Sequence, residues 1–207
     1  MTRKTTLLAG ALLAGALALT ACSDDSVASH MDSMDSGSAE STSTSASEDA
    51  AFNDADVTFA QGMIPHHQQA IEMAQMASER AQDPRVLDLA SRIEAAQQPE
   101  IDTLTGWLKE WGAEDDGMGG MDHGGMDHGG GMMSEEDMNA LMAASGAEFD
   151  RLFLEQMIEH HTGAVEMATT EAGEGQNTEA LEMANDIRDT QNGEIAEMRQ
   201  LLTELGG

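Results

Sequence analysis

Two pairs of adjacent histidines, His66-His67 and His160-His161, carry the strongest chemical signal in the chain. Each pair follows a methionine at the same offset, Met63 in one case and Met157 in the other. On a helix, neighbouring residues point about 100° apart, so one imidazole of each pair can face a bundle axis while the other turns toward a flanking helix. A methionine three and four residues earlier lies on the same face, one turn before. Thioether sulfur selects soft ions such as Cu(I) or Ag(I), and imidazole suits both copper states and zinc. The plainer alternative is a set of hydrogen-bonded core histidines. Retention of all four at matched positions, each pair with its methionine, favours ligands.

A second cluster of the same chemistry lies in residues 117–133, where Met-Asp-His-Gly-Gly occurs twice in succession. Met118, Met121, His123, Met126, His128, Met132 and Met133 stand in a run too rich in glycine to fold alone. Such long irregular segments inside a compact domain are uncommon and usually functional or disordered. A methionine in a solvated glycine linker has no packing use, so soft-metal binding is the stronger reading here. His30, Met31 and Met34, nearer the N-terminus, repeat the pattern.

The elements that must position these residues follow from an internal repeat. An offset of 94 positions aligns residues 56–112 with 150–206 without a gap. The aligned halves share about twenty identities in about fifty-seven pairs, the mark of a repeated supersecondary unit. Phe59, Met63, His66, His67, Ala70 and Met73 recur at three- and four-residue steps, the period of one helical face. Met73 and its mate Met167 are therefore further candidate ligands on the same helices. Asp83 and Pro84 read as an N-cap and a first helical position, opening a second helix. That helix carries Leu87, Ala90, Ile93, Ile101, Leu104 and Leu108, and residues 173–177 make the corresponding turn in the second half.

Pro65 should kink the first helix just before its histidines. Ser134 with Asp137 has the signature of a capping box, which suggests a short extra helix with Met138, Leu141 and Met142 on its apolar face. Met76, Met138, Met142, Met183 and Met198 read as core filler. The fold class expected is all-α: a four-helix bundle of two repeated hairpins, with that short helix before the second hairpin.

Gln97, Glu100, Gln191 and Glu194 are also polar residues kept by both halves. Polar groups inside a bundle are costly unless paired. These four therefore read either as hydrogen-bond partners that orient the imidazoles or as exposed helix-surface positions.

Charge and the N-terminus bound the setting. The formal net charge is −30, with nine Lys and Arg against thirty-nine Asp and Glu. A surface that negative repels phosphate backbones, which excludes nucleic acid as a partner, and it concentrates cations nearby. Arg3 and Lys4 precede an apolar run over residues 7–19, too short at about thirteen residues for a spanning helix. It ends in Leu19-Thr20-Ala21-Cys22, which resembles the lipobox of bacterial lipoproteins. Cys22 is the only cysteine, so the expectation is a lipid-bearing residue and a membrane anchor.

The expected organisation is a signal peptide over residues 1–21 and a flexible Ser/Asp-rich tether over 22–51. A first hairpin follows over 52–112, then the Gly/Met/His-rich loop over 113–133. The short helix and second hairpin occupy 134–207, and residues 52–207 make one domain. Two hairpins close a bundle by themselves, so a monomer is allowed without being required, and the oligomeric state stays open.

The segment Met63-Ile64-Pro65-His66-His67-Gln68-Gln69-Ala70-Ile71-Glu72-Met73-Ala74 closely resembles the signature of the bacterial family known as domain of unknown function 305. So does Gly146-Ala147-Glu148-Phe149-Asp150-Arg151-Leu152-Phe153-Leu154-Glu155-Gln156-Met157-Ile158 with His160-His161. The resemblance implies a ferritin-like four-helical fold, an exported location and copper binding in some members, through His66, His67, His160, His161, Met63 and Met157. One departure is Glu159, where the family often has proline.

The leading expectation is a non-enzymatic, extracytoplasmic copper-binding lipoprotein. It would sequester Cu ions, Cu(I) more than Cu(II), or exchange them with a donor or acceptor protein. A di-metal oxidase is the enzymatic alternative, but that class wants Glu-x-x-His, and here Met63 and Met157 stand three residues before His66 and His160. A non-metal envelope interaction module is the third.

Overall fold

The computed structural model describes residues 51–113 and 130–206. The signal peptide, the tether with Cys22, and Met118, Met121, His123, Met126 and His128 of the loop lie outside them. Five helices form: α1 (Asp54–Arg80), α2 (Pro84–Glu110), α3 (Glu135–Ala143), α4 (Ala147–Glu174) and α5 (Thr178–Leu205). The four long ones make the bundle, with α1–α2 and α4–α5 as its two hairpins. No helix among the described residues is long and apolar enough to cross a membrane.

Local chemistry sets the helix ends. Asn53 opens α1 with a capping box completed by Asp56. Asp83 accepts from Arg85 N and precedes Pro84, whose missing N–H costs nothing at a helix start. The capping box of Ser134 and Asp137 opens α3, and Asn177 caps α5. α1 runs through Pro65 as one helix, and α2 does so through Pro99. The second turn is tighter than its composition suggested, because α4 continues through Gly173 to Glu174 and leaves only residues 175–177 between helices.

Two buried carboxylates bind the hairpins to each other. Asp150, in the first turn of α4, accepts from Gln82 N at 3.0 Å and Asp83 N at 2.9 Å, in the turn between α1 and α2. Its repeat mate Asp56, in the first turn of α1, accepts from Gln176 N at 3.1 Å and Asn177 N at 2.9 Å, in the turn between α4 and α5. Each hairpin thus caps the other's turn, and α1 and α4 are held antiparallel with a fixed register.

One partner of this arrangement exists in the second half only. Burial pushes the Glu171 carboxyl up to about 8, as do its hydrogen bond to Asp56 and that neighbour's charge. Burial alone would raise Asp56 as well. The hydrogen bond from Glu171 and those from the Asn53, Asn177 and Gln176 amides outweigh it and hold Asp56 below the ordinary carboxylate range.

The apolar interior falls into two clusters. One gathers Met73, Val86, Leu89, Ile93, Phe149, Phe153, Met157 and Leu201. The other gathers Phe59, Met63, Leu104, Trp107, Ala168, Ala180 and Ile187. Met133, Leu141 and Ala144 join the first cluster, which is how the strand of chain before α3 and α3 itself dock. Of the apolar face expected for α3, only Leu141 is buried and Met142 is 46% exposed. Met138 packs partly buried against the same cluster as Leu141.

Removing either reciprocal cap should destabilise the whole bundle rather than one turn. Asp56→Ala and Asp150→Ala each strand two amides of the opposite hairpin, for which a loss of about 1–3 kcal/mol is expected. Urea unfolding checks this, and variants within about 0.5 kcal/mol of the parent, as for an ordinary surface change, would contradict it.

Candidate metal centre

Between the two apolar clusters lies a polar belt. It comprises His66 and His67 of α1, Gln97 and Glu100 of α2, His160 and His161 of α4, and Gln191 and Glu194 of α5. The four histidine side chains and both glutamines are buried. The two-fold relation of the repeats brings His66 against its mate His160, with ring centroids 3.7 Å apart and planes inclined at 39°. Each outer histidine turns to its own hairpin partner. His67 Nε2 lies 2.6 Å from Glu100 Oε2, and His161 Nε2 lies 2.7 Å from Glu194 Oε2. His66 Nε2 lies 2.8 Å from the Gly130 carbonyl oxygen.

These contacts determine which ring atoms remain available. A neutral imidazole has one N–H and one lone pair, and the hydrogen bond of one nitrogen decides the state of the other. A carboxylate or carbonyl accepts from Nε2–H, which leaves the lone pair on Nδ1. The Nδ1 atoms of His66, His67 and His161 are buried without a hydrogen-bond partner among the described residues, and so are both ring nitrogens of His160. Gln97 Oε1 and Gln191 Oε1 are in the same condition. Buried polar atoms are normally satisfied, and exceptions need a cause. Seven in one layer, five of them imidazole nitrogens, fit a site built to receive an ion.

Electrostatics keep the two central rings in ligand form. Burial, followed by the charge of His67, pushes the His66 imidazole down to about 3. Burial, followed by the charge of His66, holds His160 well below the usual imidazole range. Both are therefore neutral at physiological pH and can donate a lone pair without first losing a proton. No three His, Cys, Asp or Glu side chains among the described residues converge into a ready-made cage. An ion at the belt would therefore need a thioether among its donors or a small rearrangement of the rings.

The other expected ligands divide by position. Met63 and Met157 are fully buried one turn before the histidines of their helices. Met73 lies six residues beyond His67, and Met167 six beyond His161, a rise of about 9 Å. Met73 packs in the cluster of Phe149 and Phe153, and Met167 packs, partly buried, against the other cluster. Met133 is likewise core, 5% exposed, while Met132 is only partly buried. Glu100 and Glu194 bond the imidazoles directly, but neither Gln97 nor Gln191 is hydrogen-bonded to one through Oε1.

Sequence reasoning missed Gly130, Gln69 and Gly163, which bring the end of the loop onto the belt. The signal available was the mismatch of Gln69 with Gly163 inside an otherwise well-matched stretch of the repeat.

A family model described as domain of unknown function (DUF305) matches residues 56–202. The chain belongs to this family. Its structure is similar to the putative secreted DUF305 protein of Streptomyces coelicolor, at 32% identity and TM-score 0.65, covering 74% of this chain and 94% of that one. It is also similar to CopM, solved in a Cu(I)-bound form (33% identity, TM-score 0.59, 73% of this chain and 98% of that one). The Cu(II)-bound form of CopM matches at 35% identity and TM-score 0.63, over 72% of this chain and 96% of that one. A shorter match, 43% identical over 55 residues, links 27% of the chain to an uncharacterized protein of Acanthamoeba polyphaga mimivirus. The chain spans about a third (36%) of that relative's length. The all-helical bundle read from the repeat is thus the fold of this family.

In the metal-free protein, histidine NMR should show His66 and His160 neutral across pH 5 to 8. Because the His66 value is lowered to about 3, the unfolded chain binds the proton first. The stability that His66 contributes is full above the ordinary imidazole value of about 6.5 and is lost as pH falls from there toward 3. Titration of His66 near pH 6.5 in the folded protein would contradict this geometry.

Proposed function

We propose that this protein is a non-enzymatic copper-binding lipoprotein that holds Cu ions outside the cytoplasm and exchanges them with a donor or acceptor protein. The observation that carries the reading is the buried belt. Two symmetry-related histidine pairs present unpartnered Nδ1 atoms while Glu100 and Glu194 hold the outer rings from behind. Such carboxylate–histidine pairing fixes ring orientation and raises the basicity of a ligand nitrogen. Neutral imidazole with nearby thioether suits Cu(I) first and Cu(II) second. The solved copper-bound forms of CopM, over nearly the full length of that protein, support the assignment. The net charge of −30 raises the local concentration of cations.

The export signal and the lipid on Cys22 complete the proposal, and the secreted Streptomyces relative supports the location. The Met and His residues of the loop would capture ions and pass them to the belt. A di-metal oxidase is less well supported. Its bridging carboxylates would have to be Glu100 and Glu194, and both are engaged with imidazole N–H groups.

A competitive Cu(I) titration against a chromophoric chelator tests the proposal. Three forms are compared: the intact protein, a variant with all four histidines changed to Ala, and one lacking residues 118–128. This deletion spares Met133, whose side chain belongs to the core. The histidine variant should lose more affinity than the about 10–100-fold typical of an outer hydrogen bond. No competition by the intact protein, or unchanged affinity in the histidine variant, would overturn it.

A further inference from the structure

Residues 130–133 form a strap along the groove between α1 and α4, and three contacts seat it. On α1, Gln69 grips Met133 in both directions: Met133 N donates to Gln69 Oε1 at 2.7 Å, and Gln69 Nε2 donates to Met133 O at 2.9 Å. On α4 the strap passes so close that side chains have no room. A Cβ on Gly131, where φ is 75°, would lie 2.5 Å from the Glu159 carbonyl oxygen, and a Cβ on Gly163 would lie 1.7 Å from the Gly130 oxygen. At the end of the strap, the Gly130 carbonyl accepts from His66 Nε2 at 2.8 Å.

Gln69 and Gly163 occupy the same position of the two repeats. The duplicated position is thus a clamp in one half and a socket in the other. The consequence falls on the central pair of rings. His66 has one nitrogen committed to the strap, whereas its mate His160 has no hydrogen-bond partner on either nitrogen among the described residues. For His66 the strap carbonyl does what Glu100 does for His67 and Glu194 does for His161. In their neutral state all three rings are Nε2–H tautomers with Nδ1 lone pairs, and only His160 is left unassigned.

We propose that Gln69 and Gly163 are positioning residues of the metal centre. By seating the strap they hold the Gly130 carbonyl on His66 and keep the Nδ1 lone pair of that ring free for a soft ion. The ion rests on the copper-binding reading above; the tautomer does not. A backbone acceptor has a further merit at this place. It orients the ring without bringing another negative charge into a buried layer that already holds two carboxylates.

Nitrogen-15 NMR of histidine side chains in the metal-free protein reads each tautomer directly, and an Ag(I) titration of the same samples reads the site. In the parent, His66, His67 and His161 should all be Nε2–H. Gly163→Ala should release His66 alone into exchanging tautomers and lower Ag(I) affinity by about 10–100-fold, the usual cost of losing an outer hydrogen bond. Gln69→Ala, which adds no atom to the core, should shift both readouts in the same direction and decides the matter if Gly163→Ala does not fold. The proposal is overturned if His66 stays Nε2–H in the variants, or if His67 and His161 change as much as His66. It is equally overturned if the tautomer is lost while Ag(I) affinity holds. A parent that binds neither Ag(I) nor Cu(I) sinks the copper reading and the ion-binding role together, while the NMR result still decides whether the strap sets the tautomer.

Discussion

The reciprocal capping by Asp56 and Asp150 is the constraint on which the rest of the structure depends. Each carboxylate belongs to the start of one hairpin and accepts two amides from the turn of the other. Neither hairpin can slide along its neighbour without stranding buried hydrogen-bonding groups at both ends of the molecule. That register places His66 opposite His160 at the middle of the α1–α4 interface. The ion pairs that bridge α2 and α5, Arg92–Glu197 at 2.6 Å and Arg85–Glu204, are substantially exposed. Exposed pairs of this kind contribute little, so specificity comes from the buried caps.

The polar belt that this register assembles is expensive. An apolar layer would continue the two flanking clusters without leaving buried nitrogens and amide oxygens unpaired. The cost makes sense if the unpaired atoms are the working parts. Burial keeps His66 and His160 neutral, the carboxylates of Glu100 and Glu194 keep the outer rings oriented, and the apolar clusters on either side limit water. Such a site would offer nitrogen lone pairs, together with the thioethers of Met63 and Met157, in a low-dielectric interior. An acidic exterior would draw cations toward it.

Much of this was legible in the chain itself. The 94-residue offset and the three–four spacing of Phe59, Met63, His66 and Ala70 specify two matched hairpins. The retention of Gln97 and Glu100 with Gln191 and Glu194 marks the polar positions of their second helices. Other features were hidden for physical reasons. Asp56 and Asp150 are an aligned pair, but their partners are backbone amides far along the chain, and amides have no residue identity to read. Glu171 has Ala77 as its mate, so the repeat carried no hint of a buried carboxyl there. Met73 and Met133 sit in an apolar cluster, and residue type alone does not say whether a thioether packs or ligates. A glycine-rich run reads the same whether free or docked, so the strap emerges only where Gly163 meets Gly130.

On the copper-binding proposal the ion sits in the bundle, at the histidine belt. Anomalous diffraction at the copper edge, from crystals of Cu(I)-loaded protein, tests it most directly. A peak is expected between α1 and α4 within bonding distance of at least one imidazole nitrogen from each hairpin. Peaks confined to residues 114–129, with the four imidazoles unmoved and unligated, would contradict it.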